Sequence, residues 1–222
     1  MNESSKSRQL FTSTERALLR GRVLDIGAGA DPVTPDAMAF DQAQGDANHI
    51  TAFAPASFDC VYSSHCLEHM HEPVQSLANW WSLVKPGGVL FVIVPDEDLY
   101  EQGRFPSRFN GDHKCTFTIA KKRSWSPRSH NLLELAQALP DAQLLSLRLN
   151  DIGYDRRRAG HTPAPPGPAV RRVLRAYRSL RKRGLPPLHW MDMWTAHAEG
   201  ADQTHGDAVA QIELVVRKTL AT

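Results

Sequence analysis

The run Val89-Leu-Phe-Val-Ile-Val94 contains no polar residue, and that narrows the folds open to this chain more than any other feature. A strand with one wet face alternates apolar and polar side chains. A strand apolar at every position is covered on both faces, as in the middle of a parallel sheet flanked by helices. The run is also far shorter than the roughly 20 residues needed to cross a bilayer. It therefore reads as the central strand of a soluble core.

Other short segments supply neighbours for that strand. Arg22-Val-Leu-Asp-Ile26 is aliphatic and ends in Gly-Ala-Gly, Ala37-Met-Ala-Phe40 stops at Asp41, and Ser57-Phe-Asp-Cys-Val-Tyr62 leads into Ser63 and Ser64. From Pro73 to Val84 the apolar residues Val74, Leu77, Trp80, Trp81 and Val84 recur at spacings of three and four, which predicts one face of a helix ended by Lys85-Pro-Gly-Gly88. A short helix follows at Asn131 to Leu139, and late strands at Leu144 to Leu149 and Ala208 to Lys218. Strands alternating with helices predict an α/β, Rossmann-like doubly wound, mostly parallel sheet with an antiparallel edge strand. The early helices should be shortened, because only Ala30 to Asp36 and Gln42 to Gly45 are available for them, and Pro32 and Pro35 oppose helix.

At 222 residues one domain is expected, with a core over residues 20–98 and segments 97–122 and 155–205 lying above it. Hydrophobic content of 41% and charged content of 23% suit an ordinary globular protein. The polar start MNESSKSRQ lacks a secretory apolar region, so the cytoplasm is the expected compartment. Cys60, Cys66 and Cys115 form no CxxC pair and no metal-ligand spacing. A net charge of +2 hides an asymmetry: Arg156 to Arg183 carries ten Arg or Lys and no acid. Its first part, His161 to Pro168, reads as a proline-rich linker. Its second is a helix with Val170, Val173, Leu174, Tyr177 and Leu180 on one stripe.

A carboxylate closing a first strand, followed by glycines, lets backbone approach a nucleotide-like ligand, since glycine has no Cβ to obstruct it. Asp25-Ile-Gly27-Ala28-Gly29 has that form, although such a turn also occurs with no ligand. Asp41, at the end of the second strand, can accept hydrogen bonds from a ribose or serve a surface turn. Asp46-Ala47 follows a glycine and suits either an adenine edge or a simple turn.

Together, VLDIGAGADP, AFD, GDA, SFDCVYSSHCLEHMHEP and LVKPGGVLFVIVPDED resemble the class I S-adenosylmethionine-dependent methyltransferase family over roughly residues 22 to 98. The resemblance implies S-adenosylmethionine as cofactor. It puts Gly27, Ala28 and Gly29 against the methionine part with Asp25 orienting that loop, Asp41 at the ribose, and Asp46 and Ala47 at the adenine. Ser63, Ser64 and His65 would line the cofactor and the acceptor. The third position of the glycine motif is Ala30, and the early connections are short. Both departures keep open a non-catalytic scaffold with a degenerate methyltransferase fold.

Methyl transfer at a sulfonium mainly needs alignment and exclusion of water, and a hydroxyl acceptor gains from a general base. His113, in FNGDHKCTFT, is the expected base, and Asp96, just after the apolar strand, can orient or deprotonate the acceptor. His65, His69 and His71 are further histidines of the acidic loop, where His69 can equally brace the loop beside Glu68. With no HExxH pattern, no metal is expected. The expected acceptor is a hydroxyl of a small molecule or a glycan-linked group. The basic block leaves open an RNA methyltransferase, with nucleic acid disfavoured for want of an Asn/Asp-Pro-Pro-Tyr motif, and peripheral membrane contact. Trp190, Met191, Met193 and Trp194 fit an acceptor pocket, a lid or plain core.

Overall fold

In the computed structural model, residues 3–159 and 167–220 are described; the linker expected from His161 lies outside them as far as residue 166. Six strands form one sheet in the order β2-β1-β3-β4-β8-β7. They are β1 (Val23–Ile26), β2 (Met38–Phe40), β3 (Phe58–Ser64), β4 (Val84–Pro95), β7 (Ala142–Asn150) and β8 (Gln211–Lys218). A separate parallel pair joins β5 (Thr116–Thr118) to β6 (Ser129–Asn131). β1 to β4 are mutually parallel, and β8 runs antiparallel to both β4 and β7. The antiparallel member thus stands one place in from the late edge, with β7 outside it.

The apolar run behaves as its composition requires. Leu90, Val92 and Val94 point into one core with Leu24, Ile26 and Val61, while Val89, Phe91 and Ile93 point into a second with Val23, Cys60 and Tyr62. The first core is closed by α3 (Pro73–Ser82) and α4 (Leu132–Ala138). Trp80 and Trp81 of α3 are almost wholly buried, and each contributes on the order of 2–3 kcal/mol by area burial. Their indole N–H groups still find acceptors, Ala47 O at 2.8 Å and Pro140 O at 2.9 Å. Val74, on the expected stripe, is instead 48% exposed.

The second core is closed by the N-terminal segment, which sequence periodicity did not reveal. Here α1 (Glu3–Gln9) and α2 (Ser13–Leu18) are joined through Thr12, whose side chain accepts from Glu15 N while Glu15 caps the Thr12 N–H in return. Phe11 and Leu19 pack on Tyr62, Phe91 and Val33. Between β1 and β2, and between β2 and β3, the described residues form turns and no helix, so the sheet is trimmed on that side.

Lys85 to Gly88 does more than end α3. The pairing of β3 with β4 jumps from Phe58↔Val84 to Cys60↔Val89, so these residues bulge out of the strand. Gly88 is required there, because a Cβ would lie 2.8 Å from Asp59 O and 3.0 Å from Lys85 O. On the late edge, the buried carboxylate of Glu213 accepts from Arg148 Nε (2.7 Å), Asn150 Nδ2 (2.6 Å) and Gln211 Nε2 (2.9 Å), tying β8 to β7.

Above the carboxyl ends of the strands lie the two long segments. A π-turn (Glu97–Glu101) follows β4, and the basic stretch forms α5 (Pro168–Lys182), succeeded by α6 (His189–Glu199). Gln102 Nε2 donates to Ala201 O at 2.8 Å, Tyr154 OH donates to Leu99 O at 2.5 Å, and Arg108 donates to Glu199 O. These bonds lash the late segment to the earlier one. Leu174 and Tyr177 of α5 are buried, but Val173 and Leu180 are each 49% exposed, so the expected apolar stripe is only partly covered. Trp190 is exposed rather than core, while Met191 is buried. Among the described residues no helix is long and apolar enough to cross a membrane.

Candidate functional site: a cleft and cavity at the strand ends

A cleft of about 720 Å³ opens at the carboxyl ends of β1, β2 and β3, lined by Gly27, Asp41, Asp46, Ala47 and His65 among others. Open α/β sheets bind ligands at this edge because successive strands leave a crevice there. β1 hands the chain to Gly27, which has φ +80° and whose Cβ would lie 2.7 Å from Cys66 Cβ. Only glycine allows that approach. Gly27 N donates to Phe40 O at 2.8 Å, and Gly29 N donates to Asp41 Oδ2 at 2.9 Å, so the end of β2 holds the glycine turn directly.

Asp46 accepts from both the backbone N–H and the side-chain amide of Asn48, each at 2.8 Å, and these bonds hold its carboxyl below the ordinary carboxylate value. Asn48 in turn accepts from His71 N at 2.8 Å, and Ala47 O is fixed by Trp80. This loop is therefore rigid without a helix beneath it. Asn48 is a wall residue that sequence reasoning missed; an Asx-turn pattern around Gly45-Asp-Ala-Asn48 was the available signal.

The remaining sequence-singled residues stand behind the wall. Asp25 is buried, takes the Val33 N–H on Oδ2 at 2.6 Å and leaves Oδ1 without a hydrogen-bond partner. Burial pushes its carboxyl up to about 7. Ala28 is buried, Ser63 Oγ donates to Ile26 O at 3.1 Å, and Ser64 is buried. These residues shape the turn and strand end without lining the cleft.

A second, smaller cavity of about 200 Å³ adjoins the cleft, lined by His65, Glu68, His69, Tyr100, Asn110, His113 and Thr204. His65 and His69 belong to both walls. The loop after β3 supplies His65 and a 3-10 turn (Leu67–His69), and Lys114 N docks on Glu68 O at 2.8 Å, which brings His113 over it. His113 is buried, with Nδ1 2.6 Å from Glu101 Oε1. Tyr100 lies against its ring at 5.2 Å and His69 at 5.0 Å. His69 Nδ1 sits 3.0 Å from Asp112 Oδ2. Glu68 is fully buried, with His65 Nδ1 3.5 Å away. Opposing its burial, the surrounding histidines hold its carboxyl below the ordinary value.

Asp96 lies apart from this group. Its Oδ1 caps the π-turn by accepting from Asp98 N (3.1 Å) and Leu99 N (3.0 Å), and it lines neither the cleft nor the small cavity. Burial pushes its carboxyl up to about 6. Glu101, not Asp96, is the acid that meets His113; its part is decided by a fold-back across twelve positions that no short motif announces. The basic helix α5 also lies outside the cleft: Tyr177, Arg178 and Arg181 line a separate hollow with residues of α6.

A glycine turn after β1, an acid after β2 and a polar loop after β3 gather at one edge of a trimmed Rossmann-like sheet. Residues 23–92 match the family model described as a methyltransferase domain. The fold is similar to that of a putative methyltransferase from Bacillus halodurans, at 14% identity and TM-score 0.52 over 98% of this chain and 99% of that one. It is likewise similar to an S-adenosylmethionine-dependent methyltransferase from Archaeoglobus fulgidus, at 15% identity and TM-score 0.51 over 96% and 93%. No curated protein matches the chain. The methyltransferase-domain match is thus confined to residues 23–92, and over the rest of the chain the likeness to these structures is one of fold.

Proposed function

We propose that this enzyme methylates a hydroxyl of a small-molecule or glycan-type acceptor, using the large cleft for the cofactor and the adjoining cavity for the acceptor group. The observation that carries this reading is the wall that the two spaces share, formed by His65 and His69. A methyl donor on one side and an acceptor oxygen on the other meet along that wall, which is the alignment that methyl transfer demands.

The residues divide the work by position. Asp41 and Asp46 offer carboxylates to hydroxyl and amine donors of the nucleoside, and Gly27 and Gly29 keep side chains out of the path of the methionine part. S-adenosylmethionine supplies a methyl group on a positively charged sulfur and departs as the neutral thioether. The fit of this group rests on two features: a Cβ at Gly27 would collide with Cys66, and the buried Oδ1 of Asp25 has no hydrogen-bond partner behind the turn. The small size of the second cavity favours one functional group of the acceptor over a whole macromolecular surface. The acceptor hydroxyl is polarised and relieved of its proton at the cluster of His65, Glu68, His69 and His113. Glu101 fixes the His113 ring.

The test is calorimetric titration with S-adenosylmethionine and S-adenosylhomocysteine, followed by a screen of hydroxylated sugars and small alcohols for methyl incorporation. Cofactor binding should be micromolar and weakened at least about tenfold by Asp41→Ala and by Asp46→Ala, the loss expected for a charge-assisted hydrogen bond. His113→Gln should retain cofactor binding while losing turnover. Cofactor binding indifferent to both aspartates, or turnover on amines but never on hydroxyls, would refute the reading.

A further inference from the structure

Glu68 is a buried acid in the wall of the small cavity. Its side chain is about 1% exposed, and neither carboxylate oxygen has a hydrogen-bond partner; the nearest cation-forming group is His65, at 3.5 Å. A buried carboxylate in that condition is costly unless a charge meets it directly. One donor atom each from Glu68, His69 and His113 lies within 4.8 Å of the other two.

The two imidazoles are also arranged as ligands are. His113 has Nδ1 on Glu101 Oε1 at 2.6 Å, and His69 has Nδ1 on Asp112 Oδ2 at 3.0 Å. A carboxylate on Nδ1 fixes the tautomer with the proton there, leaving the Nε2 lone pair as each ring's donor. Metal-binding histidines are oriented in this way. Two independent carboxylates doing the same thing to two neighbouring rings, both next to an unsatisfied buried acid, are more than a solvated polar loop requires.

We propose that Glu68, His69 and His113 bind one divalent transition-metal ion, such as Zn²⁺, Mn²⁺ or Fe²⁺. Two imidazole nitrogens and one carboxylate oxygen suit these ions, whereas Mg²⁺ and Ca²⁺ take nearly all-oxygen shells. Three protein ligands leave coordination positions open, and the cavity lined by Tyr100, Asn110 and Thr204 is where they open. The ion therefore seats the acceptor oxygen and lowers its pKa, while His113 serves as ligand rather than base. The absence of an HExxH pattern carries no weight against this site, because its third ligand comes from a segment more than forty positions away. The proposal rests on the reading of the small cavity as the acceptor site and specifies the device that acidifies the hydroxyl there.

The experiment is titration of the metal-stripped protein with Co²⁺ and Zn²⁺ without cofactor or acceptor, read by the visible absorption of Co²⁺ and by calorimetry, with Mg²⁺ as competitor. One ion per chain should bind, with absorption bands diagnostic of mixed nitrogen and oxygen ligation and no displacement by millimolar Mg²⁺. Glu68→Gln and His69→Ala should each weaken binding at least tenfold, while His189→Ala, which removes a histidine of α6, should leave it unchanged. His69 is partly exposed, so its variant should keep the wild-type circular dichroism and melting profile. No binding by folded wild type, or binding indifferent to Glu68→Gln and His69→Ala, overturns the site. S-adenosylmethionine titration on the same samples separates the failures. Cofactor binding without ion binding sinks only this proposal, whereas loss of cofactor binding in wild type sinks the reading beneath it.

Discussion

Asp25→Asn should change the pH dependence of stability in a calculable way. In the folded protein, burial holds the Asp25 carboxyl up at about 7, against an ordinary 3.8. The acid is only 1% exposed, so solvent screening offers little relief. The folded state therefore binds this proton more tightly than the unfolded state, and stability falls as pH rises between the two values. The contribution is fully present below about pH 4, is lost progressively up to about pH 7, and is constant above. At roughly 1.4 kcal/mol per unit, the loss is on the order of 4 kcal/mol. Asparagine keeps an acceptor for the Val33 N–H but carries no charge at any pH. Its amide replaces an oxygen that has no hydrogen-bond partner, so any cost there shifts the curve without tilting it. Urea denaturation of the cofactor-free protein at half-unit steps from pH 4.5 to 8 should show the variant gaining on wild type by about 1.4 kcal/mol per unit up to pH 7, then running parallel. Curves parallel throughout would refute the assignment of a buried, proton-hungry carboxyl. The variant should also bind S-adenosylmethionine less well, because the turn that Asp25 orients gains stability at the expense of a negative charge beside it.

Other substitutions test the scaffold around the site. Gly88→Ala should cost about 1–3 kcal/mol in urea denaturation by driving a Cβ into Asp59 O and Lys85 O at the bulge; unchanged stability would mean that the bulge relaxes freely. Glu213→Ala strips three hydrogen bonds from the β7–β8 edge and leaves Arg148 with Glu15 alone, so a loss on the order of 3 kcal/mol is expected by thermal or urea melts, and a loss under about 0.5 kcal/mol would refute it. Burial pushes the thiols of Cys60, Cys66 and Cys115 up to about 12. At pH 8 a disulfide reagent should react with the native protein at about a tenth or less of the denatured rate, and rapid labelling would show that the strand ends open readily.

The parts of the fold that were legible in the sequence are those that depend on local periodicity. Val89 to Val94 announced a doubly covered strand because each of its side chains enters one of two cores, and the spacing of Leu77, Trp80 and Trp81 announced the helix closing one of them. That Gly27, Asp41 and His65 line one cleft was legible for a related reason: each directly follows a strand, so the topology alone collects them. The covering of the second face was not legible, since it falls to two helices of seven and six residues with no apolar stripe. Thr12 and Glu15 did carry a capping signature, but caps mark where helices start and say nothing of what they cover. Glu101 was invisible because its meeting with His113 depends on the left-handed turn at Gln102 and on the docking of Lys114 onto Glu68. Asp96 misled for the complementary reason, since the residue after a strand that usually faces ligand is here consumed in capping the next turn.

His65 and His69 line the large cleft and the small cavity alike, so with the cofactor and acceptor seated as proposed, the two ligands share free energy as well as space. Linkage is reciprocal: an acceptor that shifts these rings and tightens the cofactor tenfold must itself be tightened tenfold by the cofactor, an exchange of about 1.4 kcal/mol in either direction. The departing thioether stands in the same relation to the methylated product. The size of that coupling is thus set at two side chains, and the equilibrium binding of either ligand, measured with and without the other, reads it out.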